Sequence, residues 1–393
     1  MHVYTSFLIF LVLLVVLPDL YLYKRFMHNR TNLSSKILHG IISFYFIIVS
    51  MIIMLNFNDI YSIDKRFRMI MFVTVMGVVY IPKLSFCTFD LIFFLTKKRW
   101  RWIQRLGYVA AAIAGLTILH AVFFQRFNFG KQEVTVEIEN LPQSFEGYKI
   151  LQISDMHLGS FAYSQEKIKP LMDSVNAQKA DLIVFTGDMV NNFATECNGW
   201  GEVFARLNDS TPKLGILGNH DYSEYFNWKD EDLKSMNSMA VRQKIRDFGF
   251  KLLLNESQII HKGNDSIAII GLESWGRKAN NNFADIQKAT KGTEYIETKI
   301  LLAHEPNFWK DSICPFYDID LTFCGHTHAA QMGLEIGSFK ISPARLMFEY
   351  WDGLYEHNGK QIFVSRGIGC VGIPARMGMR PKYAVITLKR KQR

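Results

Sequence analysis

The chain has 393 residues, enough for two or more domains, and a formal net charge of +9. Residues 1–126 hold fourteen Lys/Arg against four Asp, about +10, while the remaining thirty-one basic and thirty-two acidic residues give about −1. The basic excess therefore flanks apolar segments, as around membrane spans. That argues against a nucleic-acid-binding face, and five scattered cysteines (Cys87, Cys197, Cys314, Cys324, Cys370) argue against a disulfide framework or a zinc ribbon.

Four apolar stretches follow one another at the start of the chain. Phe7 to Leu17, continuing to Tyr23, lacks the leading charge and small-residue cleavage site of a signal peptide and reads as an uncleaved first span. Ile37 to Phe57 and Met69 to Leu95 are the second and third, the latter interrupted by Pro82, Lys83 and Asp90. Leu106 to Phe124 is the fourth, and Ala110–Ala112, Ala114 and Gly115 suit close helix packing. Lys83 and Asp90, seven apart, fall on similar helix faces and are expected at a membrane interface.

Charge sets the orientation. Lys24, Arg25, Arg30 and Lys36 follow the first span, and Lys97, Lys98, Arg99, Arg101 and Arg105 follow the third. Between the second and third spans, Lys65, Arg66 and Arg68 are offset by Asp59 and Asp64. The positive-inside rule places the two basic loops in the cytoplasm of an inner or plasma membrane. Both termini and everything after Phe124 are then extracytoplasmic. The expected organisation is a transmembrane region of about four helices over 1–126, a linker with an edge strand (Val134 to Glu139) over 127–147, and a catalytic domain over 148–393.

Past residue 148 the pattern changes to apolar strand, polar helix, apolar strand. Expected strands are Lys149–Ile153, Asp181–Phe185, Lys213–Leu217, Ser266–Gly271, Lys299–Ala303, Asp320–Phe323, Gln361–Ser365 and Tyr383–Leu388. Helices are expected near Gln165–Gln178 and Asp230–Asp247. This alternation predicts a layered α/β domain with functional residues at the carboxyl ends of strands.

Five apolar runs end in polar motifs: Asp155-Met156-His157, Gly187-Asp188, Gly218-Asn219-His220-Asp221, His304-Glu305-Pro306 and Gly325-His326-Thr327-His328. Residues i and i+2 of a strand share a face, so Asp155 and His157 can grip one ion if that alternation carries into the turn. Carboxylate, amide oxygen and imidazole without thiolate suit divalent metals such as Mn, Fe or Zn. Five of the eleven histidines fall in these motifs; His2, His28, His39, His120, His261 and His357 have no such context and are read as structural.

On these motifs the sequence closely resembles the calcineurin-like metallophosphoesterases, over roughly Val134 to Leu388 with all five blocks in order. The resemblance implies a four-layer α/β/β/α sandwich holding two metal ions. It implies Asp155, His157 and His328 as ligands of the first metal, Asn219, His304 and His326 as ligands of the second, and Asp188 bridging both. His220 would face the phosphate, oriented by Asp221.

Toward the C-terminus, Gly367-Ile368-Gly369, Pro374-Ala375-Arg376, Arg380-Pro381 and Tyr383–Leu388 resemble the membrane-associated bacterial branch, which includes UDP-2,3-diacylglucosamine hydrolases. Ala329-Ala330-Gln331 and Lys382-Tyr383 depart from that branch at positions bearing on pocket shape. Arg376 and Arg380 are either contacts to a substrate phosphate or headgroup, or surface charge near a membrane. Phe348-Glu349-Tyr350-Trp351 is either a lipid-facing lip or a packed β-hairpin.

The resulting expectation is a membrane-anchored, dinuclear-metal phosphoesterase with no nucleic-acid partner, acting on a lipid or otherwise membrane-proximal phosphate ester. The alternatives are a UDP-2,3-diacylglucosamine pyrophosphohydrolase of lipid A biosynthesis and a non-catalytic membrane receptor that retains the metal site.

Overall fold

A computed structural model describes residues 8–56, 63–276 and 282–391. Met1–Phe123 and Phe124–Arg393 form two compact units. His2, Phe7, Phe57 and Asp59, used above, lie outside the described residues.

Among the described residues of the first unit, three helices are long and apolar enough to cross a membrane. They are α1 (Leu33–Leu55), α2 (Ile63–Leu95) and α3 (Arg101–Phe123). Asn32 starts α1 by accepting the Ser35 amide on its side chain at 2.9 Å. At ~1.5 Å per residue, the 33 residues of α2 outrun a bilayer core of ~30 Å. Its Pro82 lies inside the helix and does not end it. Small residues let α3 approach: a Cβ on Gly107 would lie 2.9 Å from Phe89, and one on Gly115 3.4 Å from Pro82.

The stretch expected as the first span differs. It is helical, but π-helix at Val12–Val16 and Tyr23–Met27 flanks a short α-helical piece, Leu17–Leu22. Among the described residues it is therefore not one of the helices of spanning length and composition. Its Asp19 is buried and reaches three partners on α1 and α2. Lys83 Nζ stands 2.9 Å from Oδ1, while Tyr80 and Ser43 donate to Oδ2 at 2.8 and 2.5 Å. Asp90 of α2 is likewise buried and accepts from Tyr21 (2.7 Å), Arg25 (3.0 Å) and Gln104 (2.5 Å). Lys83 and Asp90 are thus not surface groups of one helix. Each closes a separate buried network with the N-terminal segment.

The second unit is two six-stranded sheets. The first holds, in spatial order, β1 (Gly130–Ile138), β14 (Lys382–Arg390), β2 (Lys149–Ile153), β3 (Leu182–Thr186), β4 (Lys213–Ile216) and β5 (Lys251–Leu252). The second holds β12 (Gly353–His357), β13 (Lys360–Val364), β9 (Leu321–Cys324), β8 (Lys299–Leu302), β7 (Asp265–Gly271) and β6 (Glu256–Lys262). A separate two-stranded ribbon pairs β10 (Leu334–Ile336) with β11 (Phe339–Ile341).

Strand alternation explains the layers. Leu182, Val184, Leu214 and Ile216 point into a core shared with Ile267, Ile269, Ile300, Leu302 and Phe323 of the other sheet. Their neighbours Ile183 and Phe185 point the opposite way, onto Leu171, Met172 and Val175 of α4 (Lys169–Asn176) and onto Val241 and Ile245 of α5 (Glu231–Asp247). On the far sheet, Ile270, Leu301 and Val364 pack under Ile286, Trp309 and Ile313. That is an α/β/β/α sandwich. β2, β3 and β4 run parallel, as do β7, β8 and β9, so their carboxyl ends open toward the same loops.

Three sequence readings need correction here. β5, β6 and the β10–β12 strands were not expected. Phe348–Trp351 is not a hairpin: it is loop, with Tyr350 and Trp351 buried. Arg376 is neither a substrate contact nor surface charge. Its guanidinium is fully buried on the carbonyls of Gly367, Gly369 and His328.

Candidate metal centre

All five polar motifs emerge where the sheets end: Asp155 after β2, Asp188 after β3, Asn219 after β4, His304 after β8, His326 and His328 after β9. The chain turns sharply there. Asp155, His157, Asp188, His326 and His328 all have positive φ, between 39° and 71°. Such left-handed residues cost about 1 kcal/mol or more each outside glycine, so the fold holds five strained residues at one spot. The turns also require glycine. A Cβ on Gly218 would lie 2.3 Å from Asp188 Oδ1, and one on Gly325 would lie 2.3 Å from Asp155 Oδ2.

The side chains converge as two sets sharing Asp188. Ligand-type atoms of Asp155, His157, Asp188 and His328 lie within 4.8 Å of one another, and so do those of Asp188, His304 and His326. Asp188 Oδ2 stands 3.4 Å from His157 Nε2 and 3.1 Å from His304 Nε2. His157 Nε2 and His328 Nε2 approach to 3.1 Å, and His328 Nε2 lies 3.3 Å from Asp155 Oδ1. Asn219 closes the second set, with its Oδ1 2.9 Å from His326 Nδ1.

Backbone carbonyls fix the rings. Val190 O faces His157 Nδ1 at 3.1 Å and Thr186 O faces His304 Nδ1 at 2.7 Å, so both rings turn Nε2 inward. A buried chain steadies Asp155: Gln152 donates to Thr186 Oγ1 (2.7 Å), Thr186 to Ser154 Oγ (2.7 Å), and Ser154 to Asp155 Oδ2 (2.5 Å).

The donor set suits divalent cations. Buried carboxylates and inward imidazole nitrogens crowd together, and the 3.1 Å approach of His304 Nε2 to Asp188 Oδ2 lacks hydrogen-bond geometry. Burial pushes the Asp155 carboxyl up. Burial, reinforced by His157, pushes His328 well down and keeps it a neutral donor. Burial also resists charge on Asp188 and His304, but each holds the other charged, Asp188 well below and His304 well above its ordinary value. A divalent cation would displace that His304 proton, as metal binding to histidine does.

Asp221 does something other than expected. Its carboxylate accepts the amides of Asp188 (2.9 Å), Met189 (2.9 Å), Val190 (3.3 Å) and Gly218 (3.0 Å), pinning the turn that carries Asp188. Burial, with Asp188 adding to it, raises it to about 7. His220 is oriented instead by Asn191 O, 2.7 Å from its Nδ1, and by Tyr225, stacked at 4.2 Å. Burial lowers His220 to about 4. Tyr225 had no sequence signal, since it sits beyond the motif in an irregular loop, yet it also receives the Asn219 amide at 2.5 Å.

Beside the centre opens a cleft of about 1170 Å³ whose lining includes Asn219, Tyr225, Trp275, Phe283, His326 and Phe348. Aromatic side chains thus wall the cleft beside the polar Asn219 and His326.

Sandwich topology and site together define a class, the metal-dependent phosphoester hydrolases. A sequence model of the calcineurin-like phosphoesterases matches residues 148–330. An uncharacterized metallophosphoesterase of Aquifex aeolicus is 30% identical over 66% of this chain and 92% of its own length. The chain belongs to the calcineurin-like metallophosphoesterase family. An uncharacterized metallophosphoesterase of Campylobacter jejuni is 25% identical over 98% of both chains, so that likeness extends through the apolar N-terminal unit. A zebrafish transmembrane protein with metallophosphoesterase domain is 30% identical over 65% of this chain, which spans 56% of it.

Proposed function

We propose that this chain is a membrane-anchored phosphoesterase whose metal centre hydrolyses a membrane-proximal phosphate ester. The observation that carries this reading is the pair of overlapping ligand sets meeting at Asp188. Asp155, His157 and His328 would hold one cation and Asn219, His304 and His326 the other, with Asp188 common to both sets. Two such cations supply Lewis-acid charge to a phosphate and lower the pKa of water toward ~7.

The protein's own residues do the rest. His220, fixed at Nδ1 by Asn191, keeps Nε2 for the substrate, and an anionic phosphate favours its protonated form. It then donates to a phosphate oxygen or to the leaving alkoxide, help worth about 10²–10⁴-fold. Asp221 positions Asp188 through the backbone, and Tyr225 holds both His220 and Asn219. The cleft accepts the ester's organic part.

The catalytic unit is extracytoplasmic in this reading. The two basic loops are separated by α1 and α2, so they share a side, and α3 then carries the chain across. This argument does not depend on whether the N-terminal segment spans. It also disfavours a nucleotide-sugar substrate made in the cytoplasm. A receptor that had lost catalysis would be expected to have lost ligands, whereas every residue the family's motifs require is present.

Asp188→Asn tests the reading: in a variant with an unchanged melting profile, hydrolysis of a p-nitrophenyl phosphodiester is expected to fall to background. Retained hydrolysis would exclude the centre as catalyst.

A further inference from the structure

The ribbon of β10 and β11 is built inside out. Its two-residue turn is Gly337-Ser338, with Gly337 at φ 59°. In register, Leu334 pairs with Ile341 and Ile336 with Phe339, while Glu335 pairs with Lys340. Alternation puts the four apolar residues on one face and the charged pair on the other. In a soluble protein the apolar face would turn inward. Here Leu334, Ile336, Phe339 and Ile341 are 48, 65, 58 and 49% exposed.

The charged face is anchored. Glu335 accepts from Arg366 at 2.9 and 3.2 Å and from Lys382 Nζ at 2.8 Å. Lys340 donates to Asp352 Oδ2 at 2.7 Å, and Arg366 donates to Asp352 at 2.8 and 2.5 Å. The apolar face is therefore held outward by a buried ionic base and is not a loosely placed loop.

The apolar surface continues toward the metal centre. After β11 the chain makes a 3₁₀ turn, Pro343–Leu346, and Leu346 and Met347 are 89 and 59% exposed while also lining the cleft beside His326. The ribbon's anchor also sits beside the first residue of β1, the strand that follows α3 in the chain. Helix α3 ends at Phe123 and β1 begins at Gly130; residues 124–129 reach at most about 20 Å even when fully extended. Gly130 is the register partner of Lys382, whose amine holds Glu335 of the ribbon.

We propose that the apolar face of the β10–β11 ribbon inserts into the surface of the lipid bilayer in which this chain is anchored, seating the cleft at the headgroup level. The inference rests on the reading that the catalytic unit works at that bilayer. Bilayer contact explains what neither folding nor the metal centre requires: four outward hydrophobics on a rigid, charge-anchored ribbon and a cleft rim of Leu346 and Met347. It also assigns the substrate class as an amphiphilic phosphate ester, with its phosphate at the headgroups and its apolar part in the membrane.

The test uses the full chain in vesicles of phosphatidylethanolamine and phosphatidylglycerol. Phe339→Cys is labelled with a nitrobenzoxadiazole fluorophore, the five native cysteines being buried. Phospholipids carrying a nitroxide on the acyl chain are expected to quench this label several-fold more than the same label on Asp209→Cys, whose side chain is fully exposed. Equal quenching at the two positions overturns the proposal. So does a shielded Phe339→Cys label that lipid nitroxide does not quench but that transfers energy to a label on a second copy. Replacing Leu334, Ile336, Phe339 and Ile341 together with Ser is expected to spare hydrolysis of a soluble p-nitrophenyl ester and to reduce hydrolysis of vesicle-embedded ester at least tenfold. Equal loss on both substrates also overturns it. The quenching requires no catalysis, so it stands or falls separately from the phosphoesterase reading.

Discussion

Both units of this protein bury carboxylates, and they treat them oppositely. In the apolar N-terminal unit, Asp19 faces Lys83 and Asp90 faces Arg25, with tyrosine, serine and glutamine donors completing the acceptors. Those networks are closed by the chain itself. In the catalytic unit Asp155 and Asp188 face imidazoles in place of lysine or arginine, and nitrogen donors crowd to 3.1 Å from one another. Buried charge costs several kcal/mol unless compensated. One unit compensates from its own sequence, whereas the other presents a donor set that suits cations from outside. The first arrangement is structural and the second chemical.

The comparison can be broken from either side. The largest of these effects is expected at His220, proposed to donate to the substrate without belonging to the ligand sets. His220→Ala should lower kcat on a phosphodiester by about 10²–10⁴-fold, with metal content unchanged on elemental analysis. A parallel loss of metal would move His220 into the ligand set. In the apolar N-terminal unit the effect should fall on stability instead. Lys83→Met removes the cation paired with buried Asp19, costing about 3–5 kcal/mol, read as a lower melting temperature in detergent. Specific activity of the folded fraction should not change.

Tyr225→Phe keeps the ring against His220 and removes the hydroxyl that receives Asn219. Loss of such an outer contact to a metal ligand typically costs 10–100-fold. Here the low end, about tenfold, is expected, as weaker metal affinity in a titration. The smallest effect concerns the ribbon's anchor. Burial alone would raise Glu335, but Arg366 and Lys382 more than offset it and bring Glu335 from 4.5 to about 2. A depressed carboxylate stabilises above its unfolded value and loses that contribution as pH falls through the folded one. The ribbon should therefore resist proteolysis at Phe339 above pH 4.5 and loosen progressively toward pH 2.

Much of the catalytic unit was legible in the sequence because parallel strands impose a readable grammar. An apolar run must end at a loop, and β2, β3, β4, β8 and β9 each end at a motif that brings its polar residues to the centre. What failed was local geometry. Asp221 follows His220 in sequence, but the 3₁₀ turn Asn219–Tyr222 sends successive side chains apart, so the carboxylate reaches the Asp188 turn and not the ring. Arg376 reads as an ordinary charge, and only the tertiary fold shows its burial on three carbonyls. The strands β10 and β11 were missed because they are three residues each, and β6 because its alternation is weak and half polar. Asp19 went unremarked for a simpler reason: one carboxylate in an apolar run has no partner until distant helices supply Lys83 and Tyr80.

The central claim is that the crowded carboxylates and imidazoles of the catalytic unit are a two-cation site, unlike the closed networks of the apolar N-terminal unit. Metal stoichiometry in the purified full-length protein tests it most directly, compared with Asp188→Asn. Close to two divalent ions per chain are expected in the wild type, with a clear loss in the variant. No bound metal in the wild type, or an equal content in both proteins, would contradict the account.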